Sequence, residues 1–164
     1  MFSIGDYVVK PNTGICEIQE IVTMSLSGDG EKPYYVLIPI DSAKSKMFVA
    51  VGADRKRIRS VMTKDEASDL MGRIPEINQM YVPSDKLREQ QYKEAFKSNE
   101  AEELVKLIKG VYIRSNTRQQ QGKKITSTDE KYLRQAEKAL FSELTFILGE
   151  TSESIQKVIM ETLK

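Results

Sequence analysis

The sequence predicts an α+β chain, a small, partly closed antiparallel β-barrel followed by an α-helical domain. Three observations carry that expectation. Apolar residues come in short alternating runs up to about residue 62 and take helical spacing from Thr63 onward. The runs of the first part are separated by Gly-, Pro- and Asn-containing turn clusters. The change of period coincides with Thr63-Lys64-Asp65-Glu66, the spacing of a capping box, in which a hydroxyl and a carboxylate satisfy free backbone N–H groups at a helix start.

In the β part, Gly5-Asp6 precedes Tyr7-Val8-Val9, a short strand that stops at the turn cluster Pro11-Asn12-Thr13-Gly14. Ile15, Ile18, Ile21 and Val22, with polar residues between them, mark a longer second strand. Ser27-Gly28-Asp29-Gly30 reads as a hairpin-like loop, and Tyr34 to Ile38 as a central strand, being the most apolar run of this half. Met47 to Val51 and Ile58 to Val61 complete a set of five strands with no helical period among them. The expected domains are residues 1–62 and 63–164.

The helix opened by Thr63 should end near Gly72, and Pro75 and Pro83 bracket a stretch that cannot be one continuous helix. Ser84-Asp85 then caps a helix with Leu87, Tyr92 and Phe96, in which Leu87 is expected in the core. Ser98-Asn99 is read as the start of the next, whose Leu104, Leu107, Ile108, Val111 and Tyr112 keep one face. Residues 115–125 read as a polar loop. Ser127-Thr128-Asp129-Glu130 is read as a second capping box opening the longest helix, with Leu133, Ala136, Leu140, Leu144, Ile147 and Leu148 on its buried face and Gly149 as its stop. Thr151 or Ser152 caps a last helix bearing Ile155, Val158, Ile159 and Leu163, which makes a bundle of four or five helices.

Composition narrows the function classes. Of 164 residues none is histidine and one, Cys16, is cysteine, so Ser-His-Asp and Cys-His arrangements and the usual metal ligand are missing. Cys16 falls in a strand and reads as a buried structural thiol. Glu102-Glu103 and Asp129-Glu130 sit at helix starts, where carboxylates complement the helix dipole. No catalytic or metal site and no cofactor is expected, and the chain reads as a non-enzyme. No apolar run reaches the ~20 residues of a membrane span, and the first residues have neither the basic nor the apolar region of a signal peptide. A cytoplasmic protein with no membrane partner is expected, in the monomeric state.

The net charge of +1 means that any nucleic-acid contact must come from a local cluster. Arg55-Lys56-Arg57-Ile58-Arg59 is either a strand edge kept soluble by charge or a contact for phosphates or an acidic protein surface. Lys86, Arg88, Lys93 and Lys97 lie on one flank of the Ser84 helix, interleaved with Glu89 and Glu94, and Arg118, Lys123 and Lys124 lie in or beside the polar loop. Each group suits DNA phosphates or an ordinary solvated surface. Tyr81, between Met80 and Val82, is the aromatic of the helical part with the least core-like position.

An ordered set of stretches resembles the CarD/CdnL family of bacterial RNA-polymerase-binding regulators. Phe2-x-Ile4-Gly5-Asp6-x-Val8-Val9-x-Pro11-x-x-Gly14 is similar to the family's opening, followed by Tyr34-Tyr35-Val36-Leu37. Tyr92-Lys93-Glu94, Glu103 to Lys109, Gly122-Lys123-Lys124-Ile125-Thr126-x-x-Asp129-Glu130 and Ala136-Glu137-x-x-Leu140-Phe141-x-Glu143-Leu144 continue it. The resemblance implies a Tudor-like barrel that docks on the polymerase β subunit, here through Met24, Met47, Phe48 and Val49. It also implies a helical domain that meets promoter DNA at the upstream edge of the bubble and stabilises the open complex, through Leu87, Arg88, Lys93, Lys97, Arg118, Lys123 and Lys124. The chain departs from the pattern where the family commonly has a wedging tryptophan. It has none, and Arg88 falls at about that position beside Leu87. Ala50 stands for a proline and Thr13 for a histidine. The alternative to a DNA-engaging regulator is a polymerase-docking adaptor without productive DNA contact.

Overall fold

The computed structural model describes residues 1–26, 28 and 30–163. The chain is α+β and divides into two compact units, Met1–Val61 and Met62–Lys164. The first holds strands β1 (Tyr7–Lys10), β2 (Gly14–Met24), β3 (Lys32–Pro39), β4 (Met47–Ala50) and β5 (Arg59–Ser60). They form one antiparallel sheet of order β4-β3-β2-β1-β5.

The turn before β2 needs two left-handed residues, which Asn12 and Gly14 supply. The register of β2 against β3 shifts between Ile18 and Glu20, a bulge that admits Gln19. Beneath the sheet Val8, Cys16, Ile18, Tyr35, Leu37, Val49 and Ile58 form the core. Phe2 seals one end: its N–H donates to the Tyr35 hydroxyl at 3.0 Å and its ring meets the Tyr35 ring edge-on. The most apolar run, β3, is an inner strand buried on both faces, but β2 is the middle of the sheet. The Arg55–Arg59 cluster is a turn rather than a strand edge. The Asp54 carboxylate and carbonyl accept from the Lys56 and Arg57 N–H groups and curl the chain, and only Arg59 enters β5. Ser27 and Asp29, half of the expected hairpin loop, lie outside the described residues.

The second unit holds α1 (Lys64–Arg73), a 3-10 turn Ile74–Glu76, α2 (Asp85–Ser98), α3 (Ala101–Gln120), α4 (Ser127–Leu148) and α5 (Ser152–Glu161). Thr63 and Glu66 close the expected capping box reciprocally. Three boundaries differ from expectation. Ser98-Asn99 ends α2 instead of starting α3: Asn99 takes the left-handed conformation at φ 57°, which asparagine tolerates, and Glu100 precedes α3. Residues 115–120 are helical, because no glycine or proline interrupts α3 between Gly110 and Gly122 and the stretch finishes on the helix formers Arg118, Gln119 and Gln120. The cap of α4 is Thr126, one residue earlier than expected, and its hydroxyl accepts from the Asp129 N–H. The reciprocal half is missing because the Asp129 carboxylate points into the bundle instead.

The helical core centres on Val105, Leu107, Ile108, Val111, Ala136, Leu140, Leu144, Ile155 and Ile159. Glu143 is buried among these helices and accepts the Met62 N–H at 2.9 Å, which fixes the chain just ahead of α1.

Candidate functional site

The sheet unit offers an open strand edge. Among the described residues β4 pairs with β3 alone, so its other side carries backbone groups without a strand partner, the arrangement that accepts an added strand. Residues directly opposite in the ladder share a face. Phe48 stands opposite Val36 and Met24 opposite Lys32, on the outer face, where Phe48 is exposed and Met24 half-buried. Met47 and Val49 stand opposite Leu37 and Tyr35 and point to the core, where Val49 is fully packed. The four residues assigned to polymerase contact thus fall on two faces. Met24 and Phe48 present side chains outward, while Met47 and Val49 shape the strand that carries Phe48.

In the helical unit the start of α2 is bound tightly into the bundle. The stripe Arg88, Tyr92, Ala95 is buried, with the i, i+4, i+7 spacing of one helix face. Leu87, one residue off that stripe, is turned outward and exposed, against the expectation that it packs in the core. Arg88 is 8% exposed and its guanidinium binds the Asp85 carboxylate at 2.8 Å and the Val82 carbonyl at 3.4 Å. Arg114 of α3 bridges Asp85, at 3.5 Å, to the buried Asp129 of α4, at 2.8 Å. Asp129 also accepts the Tyr92 hydroxyl at 2.8 Å. Burial, and next the hydrogen bond to Asp129, hold that phenol well above its usual pKa, so it stays a donor. Tyr132 of α4 reaches back to Glu89 of α2 at 3.0 Å.

The segment between the 3-10 turn and α2 is fixed as firmly. Buried Lys109 of α3 donates to the carbonyls of Ile74 and Ile77, and its burial lowers its pKa. The Met80 N–H donates to the Lys106 carbonyl at 2.9 Å. There the segment crosses α3 so closely that a Cβ on Gly110 would lie 2.4 Å from the Met80 carbonyl oxygen. Between these ties Tyr81 is 80% exposed.

The contacts sort the basic residues. Asp85 touches Arg114, and Arg118 follows one turn later on α3, with its Nε donating to the Lys124 carbonyl at 2.9 Å. Leu87, Lys86, Arg118, Lys123 and Lys124 are therefore gathered at the end of the unit where α2 begins and α3 finishes. Lys97 lies 11 residues beyond Lys86, ~16 Å along α2 at 1.5 Å per residue, with Lys93 between. Among the described residues Lys86, Lys93, Lys97, Lys123 and Lys124 form no ion pair, whereas Arg88 is consumed inside the fold. Sequence reasoning missed Arg114, Lys109 and Gly110. Gly110 left a signal, an isolated glycine inside an apolar helical stripe.

Among the described residues no group of three or more His, Cys, Asp or Glu side chains is arranged to hold a metal ion, and no helix is long and apolar enough to cross a membrane. The β4 edge of the sheet unit and the basic end of the helical unit are thus two candidate contact surfaces. The family model of the CarD-like/TRCF RID domain matches residues 2–62, nearly the whole sheet unit. The match makes residues 2–62 similar to a Tudor-like protein-interaction domain and supports an RNA-polymerase-interacting, transcription-associated role. No curated protein matches the chain.

Proposed function

We propose that this chain is a bacterial transcription regulator that docks on the RNA polymerase β subunit through its sheet unit and stabilises the promoter open complex through its helical unit. The observation that carries the reading is the CarD-like/TRCF RID match over residues 2–62, together with the open β4 edge that this domain presents. An unpaired strand edge is a template for pairing with another chain. A strand of the partner laid along β4 would gain main-chain hydrogen bonds, with Phe48 and Met24 supplying side-chain contact. At the helical unit, Lys86, Lys123 and Lys124, with Arg118 beside them, offer cations to the phosphates near the upstream edge of the bubble. Lys93 and Lys97 extend that contact along α2, and Leu87 takes the outward position beside the buried Arg88.

Burial of Arg88, which falls where the family has its tryptophan, favours a second reading, an adaptor that docks without productive DNA contact. One pair of measurements separates the readings. The full chain should capture bacterial RNA polymerase, and Phe48→Asp, which puts a charge on the docking strand, should weaken capture at least tenfold. Added to polymerase and promoter, the chain should lengthen open-complex lifetime, and Lys123→Ala with Lys124→Ala should reduce that effect without loss of capture. Capture with an unchanged lifetime selects the adaptor; no capture removes both readings.

A further inference from the structure

We propose that the β4 edge selects an acid-flanked strand, an extended segment of the partner with an uncharged middle and carboxylates beyond both ends. The inference rests on the docking proposed above and names the chemistry of the segment that docks.

Charge is spread unevenly along the chain. Residues 42–60 hold six cations and one acid, Asp54, whereas the whole chain has a net charge of +1. None of the six lies within β4, whose Met47-Phe48-Val49-Ala50 is uncharged. Lys44 and Lys46 precede the strand, and Lys56 and Arg57 follow it on the turn that Asp54 fixes. That turn stays close to the end of β4, because the Ala53 N–H donates back to the Ala50 carbonyl at 3.1 Å. All four cations are exposed, and among the described residues none of them forms an ion pair. The Asp54 carboxylate is occupied by the Lys56 N–H at 3.1 Å.

Charges that protect an edge from pairing sit on the edge strand itself. Here the pairing stretch is bare and the free cations stand past its two ends. This layout admits a strand and discriminates by what flanks it. A second copy of this chain fits poorly. Antiparallel self-pairing about Phe48 would set Lys44 and Lys46 of one copy against Lys56 and Arg57 of the other, cation on cation. Duplex DNA offers phosphates but no N–H and C=O ladder to match the edge. A strand with carboxylates beyond both ends answers both features. From Lys46 to Val51 the backbone spans ~17 Å at ~3.4 Å per residue, so the carboxylates would stand about five or six residues apart.

The test uses the full chain, bacterial RNA polymerase, and two short peptides sharing a central Thr-Val-Thr-Val-Thr, one flanked by glutamate pairs and one by glutamine pairs. The chain should bind the glutamate peptide about tenfold more tightly, with association slowing as salt rises. The triple variant Lys46→Glu, Lys56→Glu, Arg57→Glu should lose that preference, weaken polymerase capture about tenfold, and come to prefer a lysine-flanked peptide. The gained preference also shows that the variant is folded. Equal binding of the two peptides by the wild-type chain overturns the selection. Full polymerase capture by the triple variant overturns it as well, while leaving the docking in place. Absence of capture by the wild-type chain removes polymerase as the partner, and the peptide preference then decides the inference by itself. Displacement of the glutamate peptide by duplex DNA, or a wild-type dimer that Phe48→Asp dissociates, would give the edge to phosphates or to a second copy and overturn the proposal.

Discussion

Gly110 shows how a residue reports on a neighbour far away in sequence. Alanine is the better helix former by about 1 kcal/mol, so propensity alone predicts that Gly110→Ala stabilises α3. The new methyl would meet the Met80 carbonyl, and overpacking of this kind costs about 1–3 kcal/mol. The expected outcome is therefore a net loss of stability, about 1 kcal/mol in urea unfolding; a gain would mean that the crossing is looser than described. Cys16 makes a second residue-level case. Burial pushes its thiol up from 9.0 to about 11, because the thiolate is the form that the core disfavours. The raised value belongs to the folded state, so the thiol's contribution to stability is complete below pH 9 and is lost as pH rises toward 11. Alkylation by iodoacetamide at pH 8 should be at least a hundredfold slower for the native chain than for the unfolded one. Equal rates would show the thiol to be accessible.

At the scale of elements, Asp129 joins three helices, taking the Tyr92 hydroxyl from α2 and the Arg114 guanidinium from α3 while sitting in the first turn of α4. Asp129→Ala leaves two donors without their acceptor. Breaking a buried pair costs 3–5 kcal/mol, and the partial exposure of Arg114 reduces that to about 2–3 kcal/mol. Asp129→Asn, which can still accept from Tyr92, should cost less. Thermal unfolding of the two variants checks the order. The helices themselves were legible from apolar spacing, and so was the Thr63 cap, because its two partners are three residues apart. The boundaries that failed turn on events outside the local pattern. Ser98-Asn99 has the composition of a helix start, yet Asn99 takes the left-handed conformation that ends α2. The position of Leu87 was readable in principle: counting back four from Tyr92 lands on Arg88, so the buried stripe passes Leu87 by. Hydrophobicity argued for the core, and phase decided otherwise.

For the whole molecule, the switch from a period of two to helical spacing near Thr63 was visible because each unit buries its own core. The candidate surfaces were only partly visible. A list of cations does not say which are spent on carboxylates, and Arg88 and Lys93 look alike until Asp85 and Val82 claim the first. Strand order was equally hidden, since Met47 to Ala50 reads as one strand among five until pairing leaves it at the edge.

The segment from Ile77 to Ser84 carries a constraint of length rather than of identity. Its ties run through main-chain groups of Ile77, Met80 and Val82. The exposed side chains of Asn78, Gln79 and Tyr81 make none of these ties, but one residue inserted or deleted between Ile77 and Val82 would put the ties on its two sides out of step. Evolution can therefore retune what position 81 displays, in size, flatness or polarity, far more readily than it can move the place where it is displayed.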